Sequence, residues 1–219
     1  MRSFCISFLA VTFVVTLANA EVVLQPLRGD AKRGPNLVPN AGFEEVIGGK
    51  PDGWKVELSG NFSVDTQTFH SGKASLRFTK PDAQTVFWVS RNIEINQTRP
   101  APLVISGWSK AENVVGSRGG NYSVWVDLAY VDGTSLWGQK AICSVGTHDW
   151  QYVELPFVVA KPIRNATVNV LFRGSFTGTV WFDDIALQEM SFEGGGIFDG
   201  GAAACSPPSP STPPPASRR

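Results

Sequence analysis

The run Thr179-Val180-Trp181-Phe182-Asp183-Asp184-Ile185-Ala186-Leu187 is rich in β-favouring residues and carries two adjacent carboxylates at its centre. If the run is a strand, its side chains alternate between two faces, so Asp183 shares a face with Ile185 and Leu187 while Asp184 lies on the other. A carboxylate that faces an apolar core is costly unless it is paired, hydrogen-bonded or bound to a metal. The pattern therefore predicts a partner for one of these carboxylates elsewhere in the chain.

The rest of the chain repeats this pattern of short β-favouring runs separated by turn residues. Runs of this kind cover residues 62–65, the second part of 68–78, which begins as a loop, and then 86–95, 103–110, 122–130, 151–159 and 166–173. Turn-forming residues lie between them, as in Val131-Asp132-Gly133-Thr134, and no segment keeps a helical period. About eight short strands with turns at this spacing predict an all-β fold, an antiparallel β-sandwich or jelly roll.

The two ends of the chain differ from this β-rich middle. A basic start, an apolar segment and Ala18-Asn19-Ala20 have the order of a secretory signal peptide, predicted over residues 1–20. Residues 21–35 are predicted to be an N-terminal arm and residues 36–190 the sandwich. Residues 191–219, rich in Gly, Pro and Ser, are predicted to be a disordered tail or linker. The expected location is extracellular, without membrane insertion, unless the chain is a fragment of a longer one.

The charge balance bears on the class of partner, and the cysteine content bears on disulfide formation. Lys plus Arg and Asp plus Glu number 19 each, which gives no electrostatic case for nucleic acid as a partner. Cys5 falls in the predicted signal peptide, so Cys143 and Cys205 remain. The sequence leaves open whether these two form a disulfide or stay free.

Four asparagines begin Asn-x-Ser/Thr triplets without proline in the middle, which is the acceptor pattern for N-glycosylation. In a secreted protein these positions are predicted to be exposed and to make the product a glycoprotein. They are Asn61, Asn96, Asn121 and Asn165.

Four short motifs occur in a fixed order along the chain. They are Asn36-Leu37-Val38-Pro39-Asn40-Ala41-Gly42-Phe43-Glu44, Asp52-Gly53-Trp54, His70-Ser71-Gly72-Lys73-Ala74-Ser75-Leu76 and Trp181-Phe182-Asp183-Asp184-Ile185. In this order the chain resembles carbohydrate-binding modules of the CenC-like type, which includes families four, nine and twenty-two. The resemblance covers about residues 34 to 190. It implies a galactose-binding-like jelly roll that binds a polysaccharide or glycan, as an accessory to a glycoside hydrolase domain on a longer chain.

The same resemblance implies a metal site. In that group a structural calcium ion commonly ties the opening turn to the last strand. By resemblance, Glu44 and Asp183 become side-chain ligands, and the backbone carbonyls near Ser71 and Lys73 become further ligands. The residues leave an alternative open, in which Asp183 accepts hydrogen bonds from backbone amides of the opening turn and no metal is bound.

Three of the predicted strands separate aliphatic side chains from polar and aromatic ones. Aliphatic residues alternate with Trp125 and Asp127 in one run, with Trp108 in a second, and with Asn169 and Arg173 in a third. Aromatic rings can stack on the apolar faces of sugars while planar polar groups bind their hydroxyls. We therefore predict a carbohydrate-binding face made of these five residues, the alternative for each tryptophan being a packing role.

Catalysis is not predicted. Glycoside hydrolysis usually needs two carboxylates that flank the sugar, and adjacent acids on opposite faces of one strand do not provide that geometry. The leading hypothesis is a secreted, non-catalytic carbohydrate-binding module. Two alternatives stay open: a cell-surface or extracellular-matrix interaction domain that binds protein, and a glycan-active hydrolase whose second acid is not visible in the sequence.

Overall fold

A computed structural model of the protein describes residues 31–59, 61–83, 86–192, 196–197 and 204–205. The predicted signal peptide, most of the arm and most of the tail lie outside these residues. The described part holds strands and turns, and within it no helix is long and apolar enough to cross a bilayer. The strands are β1 Ala31–Arg33, β2 Val46–Ile47, β3 Lys50–Pro51, β4 Lys55–Ser59, β5 Asn61–Asp65, β6 Ser75–Lys80, β7 Val86–Glu94, β8 Leu103–Val115, β9 Tyr122–Tyr130, β10 Ser135–Ile142, β11 Gly146–Phe157, β12 Ile163–Phe172, β13 Thr177–Phe192, β14 Gly196–Ile197 and β15 Ala204–Cys205.

Most strands belong to two antiparallel sheets. The six-stranded sheet has the order β11-β8-β13-β6-β5, with β1 also paired to β13, and the five-stranded sheet has the order β10-β9-β12-β7-β4. Aliphatic and aromatic side chains from both sheets form one buried core. The predicted all-β antiparallel sandwich is therefore confirmed.

Strand β13 contains the run that organises the fold, and it does not alternate evenly. Val180 and Phe182 are buried in the core, and so are Ile185 and Leu187, which would occupy the opposite face of a regular strand. Such a change of face needs one extra residue, which is what a β-bulge supplies. The register with β8 shifts at this point, and Asp184 adopts a φ of 48°.

The bulge overturns the predicted grouping of Asp183 with Ile185 and Leu187. Because the bulge follows Asp183, this residue stays on the side of Trp181, away from the core, while the later apolar residues turn inward. Asp183 is nevertheless fully buried, because a loop covers it from outside the sandwich.

The opening motif lies along β13. The Asn36 side-chain amide donates to the carbonyl oxygen of Ile185 over 2.9 Å, and its Oδ1 accepts the amide hydrogen of Leu187 over 3.1 Å. Phe43 is buried and packs against Trp54, with their ring centroids 5.1 Å apart. The start of the domain is thus fixed to its last long strand.

The sandwich extends beyond the predicted limits of 36–190. Residues 31–33, predicted to belong to an arm, form β1, in which Ala31 pairs with Phe192 and Arg33 with Met190. Both ends of the described sandwich therefore lie side by side on the six-stranded sheet.

Cys143 is a free, fully buried thiol, and burial raises its pKa to about 12. The side chain of Cys205 lies outside the described residues. Of the predicted glycosylation sites, Asn96 and Asn121 are exposed and Asn165 is half-buried, while the side chain of Asn61 is not among those described. Glycosylation stays a prediction.

Candidate functional site

The outer face of the five-stranded sheet carries most of the predicted binding residues. On β9, Val124 and Val126 point into the core, so Trp125 and Asp127 point outward. On β12, Asn169 is the direct cross-strand partner of Trp125. The sheet therefore brings side chains of two neighbouring strands onto one surface, because directly opposite residues share a face.

A shallow depression of about 110 Å³ lies on this surface. It contains four of the five predicted residues, together with two that the sequence did not single out. Its lining residues are Trp88, Trp125, Asp127, Asn169, Leu171 and Arg173. Two aromatic rings and three polar groups of different chemistry thus converge on a single concave surface.

Trp88 and Leu171 were missed for different reasons. Alternation along β7 could have placed Trp88 on the outer face, since Val89 beside it is a core residue. Alternation also places Leu171 outward, between the core residues Val170 and Phe172, but a leucine has no polar or aromatic group that points to a binding role. The two are cross-strand partners.

Asp127 positions the indole ring of Trp125. Its Oδ1 accepts hydrogen bonds from Trp125 Nε1 over 2.7 Å and from the backbone amide of Gly138 over 2.8 Å. Gly138 has a φ of 77°, and a Cβ atom there would lie 3.1 Å from the indole. A glycine is therefore favoured at this position, both for its backbone angle and for close approach.

Two cations contact the same indole ring. The Lys140 ammonium lies 4.7 Å from the ring centroid of Trp125, and the guanidinium carbon of Arg173 lies 5.9 Å from it. The Nε of Arg173 also donates to Oδ1 of Asn121 over 3.0 Å. These are cation–π distances, so the ring is held between its neighbours on the sheet surface.

Trp108 does not belong to this surface, and its predicted place beside Trp125 is wrong. It lies on β8 of the six-stranded sheet, where the His70 ring stacks on it with a centroid distance of 3.8 Å and the Tyr152 ring lies 5.4 Å away. Alternation predicted that Trp108 faces outward, but it carries no information on which of two sheets a strand joins.

The four predicted metal ligands meet at a second location, which we call the clasp: Glu44, residues 70–74, Asp183 and Asp184. Oδ2 of Asp183 accepts the backbone amide hydrogens of His70 over 2.8 Å and of Ser71 over 3.1 Å, and its Oδ1 accepts that of Asp184 over 2.7 Å. The clasp joins the last strand to the loop that covers it.

Glu44 binds the same loop in the same way. Its Oε1 accepts the backbone amide hydrogens of Lys73 over 3.0 Å and of Ala74 over 3.3 Å. Gly72 makes this approach possible, because a Cβ atom there would lie 2.0 Å from the Glu44 carboxylate. Glu44 thus connects the opening motif to the loop.

The predicted ligand residues are engaged in hydrogen bonds with one another in this structure. Ser71 and Lys73 present amide hydrogens to the two carboxylates, whereas calcium needs oxygen ligands. Among the described residues, no group of three or more His, Cys, Asp or Glu side chains is placed to hold one metal ion. The amides bound by Asp183 come from the 70–74 loop, whereas the alternative placed them in the opening turn. Calcium at the clasp stays a prediction.

Burial raises the pKa of Asp183 to about 6, although amide hydrogen bonds from Ser71 and His70 act in the opposite direction. An unfolded chain has a pKa near 3.8 for this group. The folded state therefore binds more protons between these two values. The part of the stability that depends on protonation of Asp183 is full below about pH 4 and is lost as the pH rises through about 6, while its hydrogen bonds to backbone amides are a separate contribution.

We expect this titration to contribute up to about 3 kcal/mol to the difference in unfolding free energy between pH 4 and pH 7, favouring pH 4. Asp183→Asn removes the titration and keeps one oxygen acceptor. Urea unfolding of the wild-type protein and of Asp183→Asn is measured at pH 4 and pH 7. The contribution of the titration is the difference between the two proteins in how their unfolding free energy changes with pH. Parallel profiles for the two proteins would contradict this assignment.

The chain is similar in sequence to a segment of much longer bacterial proteins. No family model matches the chain. The tRNA nuclease WapA of Bacillus subtilis (strain 168) is 30% identical over 176 residues, which is 78% of this chain but only 7% of that protein. The homologous nuclease of Bacillus spizizenii matches to the same extent. The chain thus spans a small part of the curated relatives that it matches.

Two solved structures share the sandwich. A family 16 carbohydrate-binding module is 15% identical, with a TM-score of 0.51, over 69% of this chain and 99% of that one. The enzymatically active domain of tailspike protein 4 of bacteriophage CBA120 is 13% identical, with a TM-score of 0.52, over 70% of this chain and 21% of that one. At these identities the likeness shows the fold alone. The chain therefore has a β-sandwich fold that these two structures share.

Proposed function

We propose that the domain is a secreted, non-catalytic carbohydrate-binding module that holds a polysaccharide or oligosaccharide in the depression on its five-stranded sheet. The observation that carries this proposal is the convergence of two tryptophans with an amide, a carboxylate and a guanidinium on one concave outer surface. Indole rings supply apolar platforms for sugar rings, and planar polar groups fix the directions of hydroxyl hydrogen bonds.

The positions of the acids support binding without hydrolysis. Asp127 faces Thr167, and Thr167 faces Asn92 on β7, so two strand spacings, about 10 Å, separate Asp127 from that strand. Glu94, the acid of β7 that shares the outer face by alternation, lies two residues further along. Retaining enzymes need carboxylates about 5 Å apart and inverting ones about 6.5–9.5 Å. Oδ1 of Asp127 is also engaged by Trp125 Nε1 and by the amide of Gly138, which favours a positioning role for this acid.

The nuclease activity named for the Bacillus relatives is not part of this proposal. The matched segment is 7% of those proteins, and their names describe the whole chain. The match favours a different point, namely that a domain of this type occurs inside a much longer protein. We propose an accessory role of this kind, in which the domain attaches a longer chain to a glycan, a glycoside hydrolase being one such chain.

Affinity gel electrophoresis tests the proposal. The full secreted chain is run through gels that contain xylan, β-glucan, galactan, agarose, polygalacturonate or κ-carrageenan, and we expect retardation by at least one of them. Trp88→Ala should reduce that retardation about tenfold, because the variant loses one aromatic platform. Retardation by none of the polymers would overturn the proposal in favour of a protein-binding domain. Release of reducing sugar from a retained polymer would instead support the hydrolase alternative.

Calcium at the clasp is a separate proposal with its own test. The prediction requires that calcium raise the melting temperature by several degrees and that EGTA reverse the rise, since a ligand that binds only the folded state stabilises it. If amide hydrogen bonds alone hold the clasp, neither calcium nor EGTA should change the melting temperature.

A further inference from the structure

We infer that the depression is built for an acidic glycan, one that bears carboxylate or sulfate groups. This inference rests on the proposed function and specifies its ligand class. It follows from the charges around Trp125, where two cations, Lys140 and Arg173, border the ring and the single carboxylate of the lining, Asp127, accepts two hydrogen bonds on Oδ1.

Lys140 is placed against Trp125 by the sheet itself. The two residues are direct cross-strand partners in the β9–β10 pair. Gly120 leaves room for the lysine stem, since a Cβ atom there would lie 2.8 Å from Lys140 Cδ. The ammonium therefore lies beside the indole because of the strand register and a missing side chain, both of which are properties of the fold.

Arg173 is anchored by the loop before β9. Its Nε donates to Oδ1 of Asn121, and the main-chain amide of Arg173 donates to the carbonyl oxygen of the same residue over 2.9 Å. A guanidinium has five N–H donors and binds carboxylate or sulfate oxygens in a fork. Anchoring through Nε orients the group at the edge of the depression.

Three other cations of the described surface are paired with acids. Arg33 lies 2.6 Å from Glu154, Lys110 lies 3.0 Å from Asp149, and Lys161 lies 2.6 Å from Asp132. Within the described residues, Lys140 and Arg173 contact an aromatic ring and an amide instead of an acid. Their charges are thus not neutralised by an ion pair, and an acidic group on a sugar that stacks in the depression would fill that role.

The test compares matched acidic and neutral polymers by affinity gel electrophoresis of the full chain. Polygalacturonate is set against neutral galactan, and κ-carrageenan against agarose, so that carboxylate and sulfate are distinguished. We expect the acidic member of at least one pair to bind about tenfold more tightly. Lys140→Gln and Arg173→Gln should each lower that affinity about tenfold, and added salt should weaken it.

Three controls keep the result interpretable. Lys161→Gln removes the same charge from the far end of β9, where Lys161 pairs with Asp132, and should leave binding within about twofold. Lys140→Arg should restore the affinity that Lys140→Gln loses. Tryptophan fluorescence and melting temperature show whether either glutamine variant has disturbed the ring.

The outcomes separate this inference from the proposed function. Equal binding of acidic and neutral members, with no effect of the glutamine variants, would overturn the inference and leave a neutral-glycan module. Binding of single-stranded RNA but of no polysaccharide would overturn both, because RNA is the other polyanion that stacks on aromatic rings. Retention by neither polysaccharide nor RNA would also overturn both.

Discussion

Asp183→Ala is expected to lower the free energy of unfolding by about 4 kcal/mol. The substitution removes the acceptor of three backbone N–H groups, those of His70, Ser71 and Asp184, at a fully buried position. These three hydrogen bonds are partly buried, and each contributes about 1–1.5 kcal/mol. Urea unfolding followed by tryptophan fluorescence measures the loss at pH 7.

The neighbouring acid provides the matched control. Asp184 is half-exposed and has a φ of 48°, a backbone angle that asparagine also tolerates. Asp184→Asn keeps an oxygen for the Ser71 hydroxyl, which donates to the carboxylate over 2.8 Å, and should cost below about 1 kcal/mol. Equal losses for both variants would show that the clasp depends on charge rather than on the amide bonds of Asp183.

Trp125→Ala is expected to weaken polysaccharide binding about 100-fold, whereas Trp108→Ala should leave it within about twofold. The first substitution removes an aromatic ring of the depression, the indole that Asp127 and Lys140 contact. The second acts on the other sheet, beneath His70. A hundredfold loss corresponds to about 2.7 kcal/mol, which is the burial energy of one large apolar side chain.

The variants Trp125→Ala and Trp108→Ala make the same substitution on two different surfaces of the sandwich, so their affinities can be compared directly. The polymer that is retained most strongly serves as the probe, and the melting temperature of each variant is measured to exclude unfolding. A larger loss for Trp108→Ala than for Trp125→Ala would move the binding surface to the six-stranded sheet, and the lining assigned here would then be incorrect.

The sequence predicted the sandwich because most of its elements obey simple alternation. The runs at 122–130 and 166–173 correspond to β9 and β12, whose inward residues form the core. Four of the five predicted binding residues share one depression for the same reason, since these two strands are neighbours. Local periodicity is enough when a strand is regular and its neighbour in the sheet has the same pattern.

Two structural features could not be predicted from the periodicity of the sequence. The sheet membership of Trp108 depends on long-range pairing of β8 with β11 and β13, which no local pattern encodes. The bulge at Asp184 depends on a positive φ that aspartate adopts only in a supporting structure. Here the opening motif and the 70–74 loop supply that support, so the local conformation is fixed by residues more than 100 positions away.

The site itself was incompletely predicted because some of its parts have no chemical signature. Lys140 lies on β10, a strand that the sequence pattern did not predict. Gly138 and Gly120 contribute through the space that their missing side chains leave. Trp137 is 70% exposed on the same strand, where it adjoins the Gly138 amide that binds Asp127. Such roles are visible only when cross-strand register is known.

The pairing of β1 with the end of β13 has a consequence for how this domain can be joined to other chains. Ala31 and Phe192 are partners across one ladder, so the polypeptide enters and leaves the sandwich at neighbouring points. A unit with adjacent ends can be inserted into a surface loop of a host like a cassette, without forcing the host ends apart. The junction lies on the six-stranded sheet and the depression on the outer face of the other sheet, so the two do not share a surface.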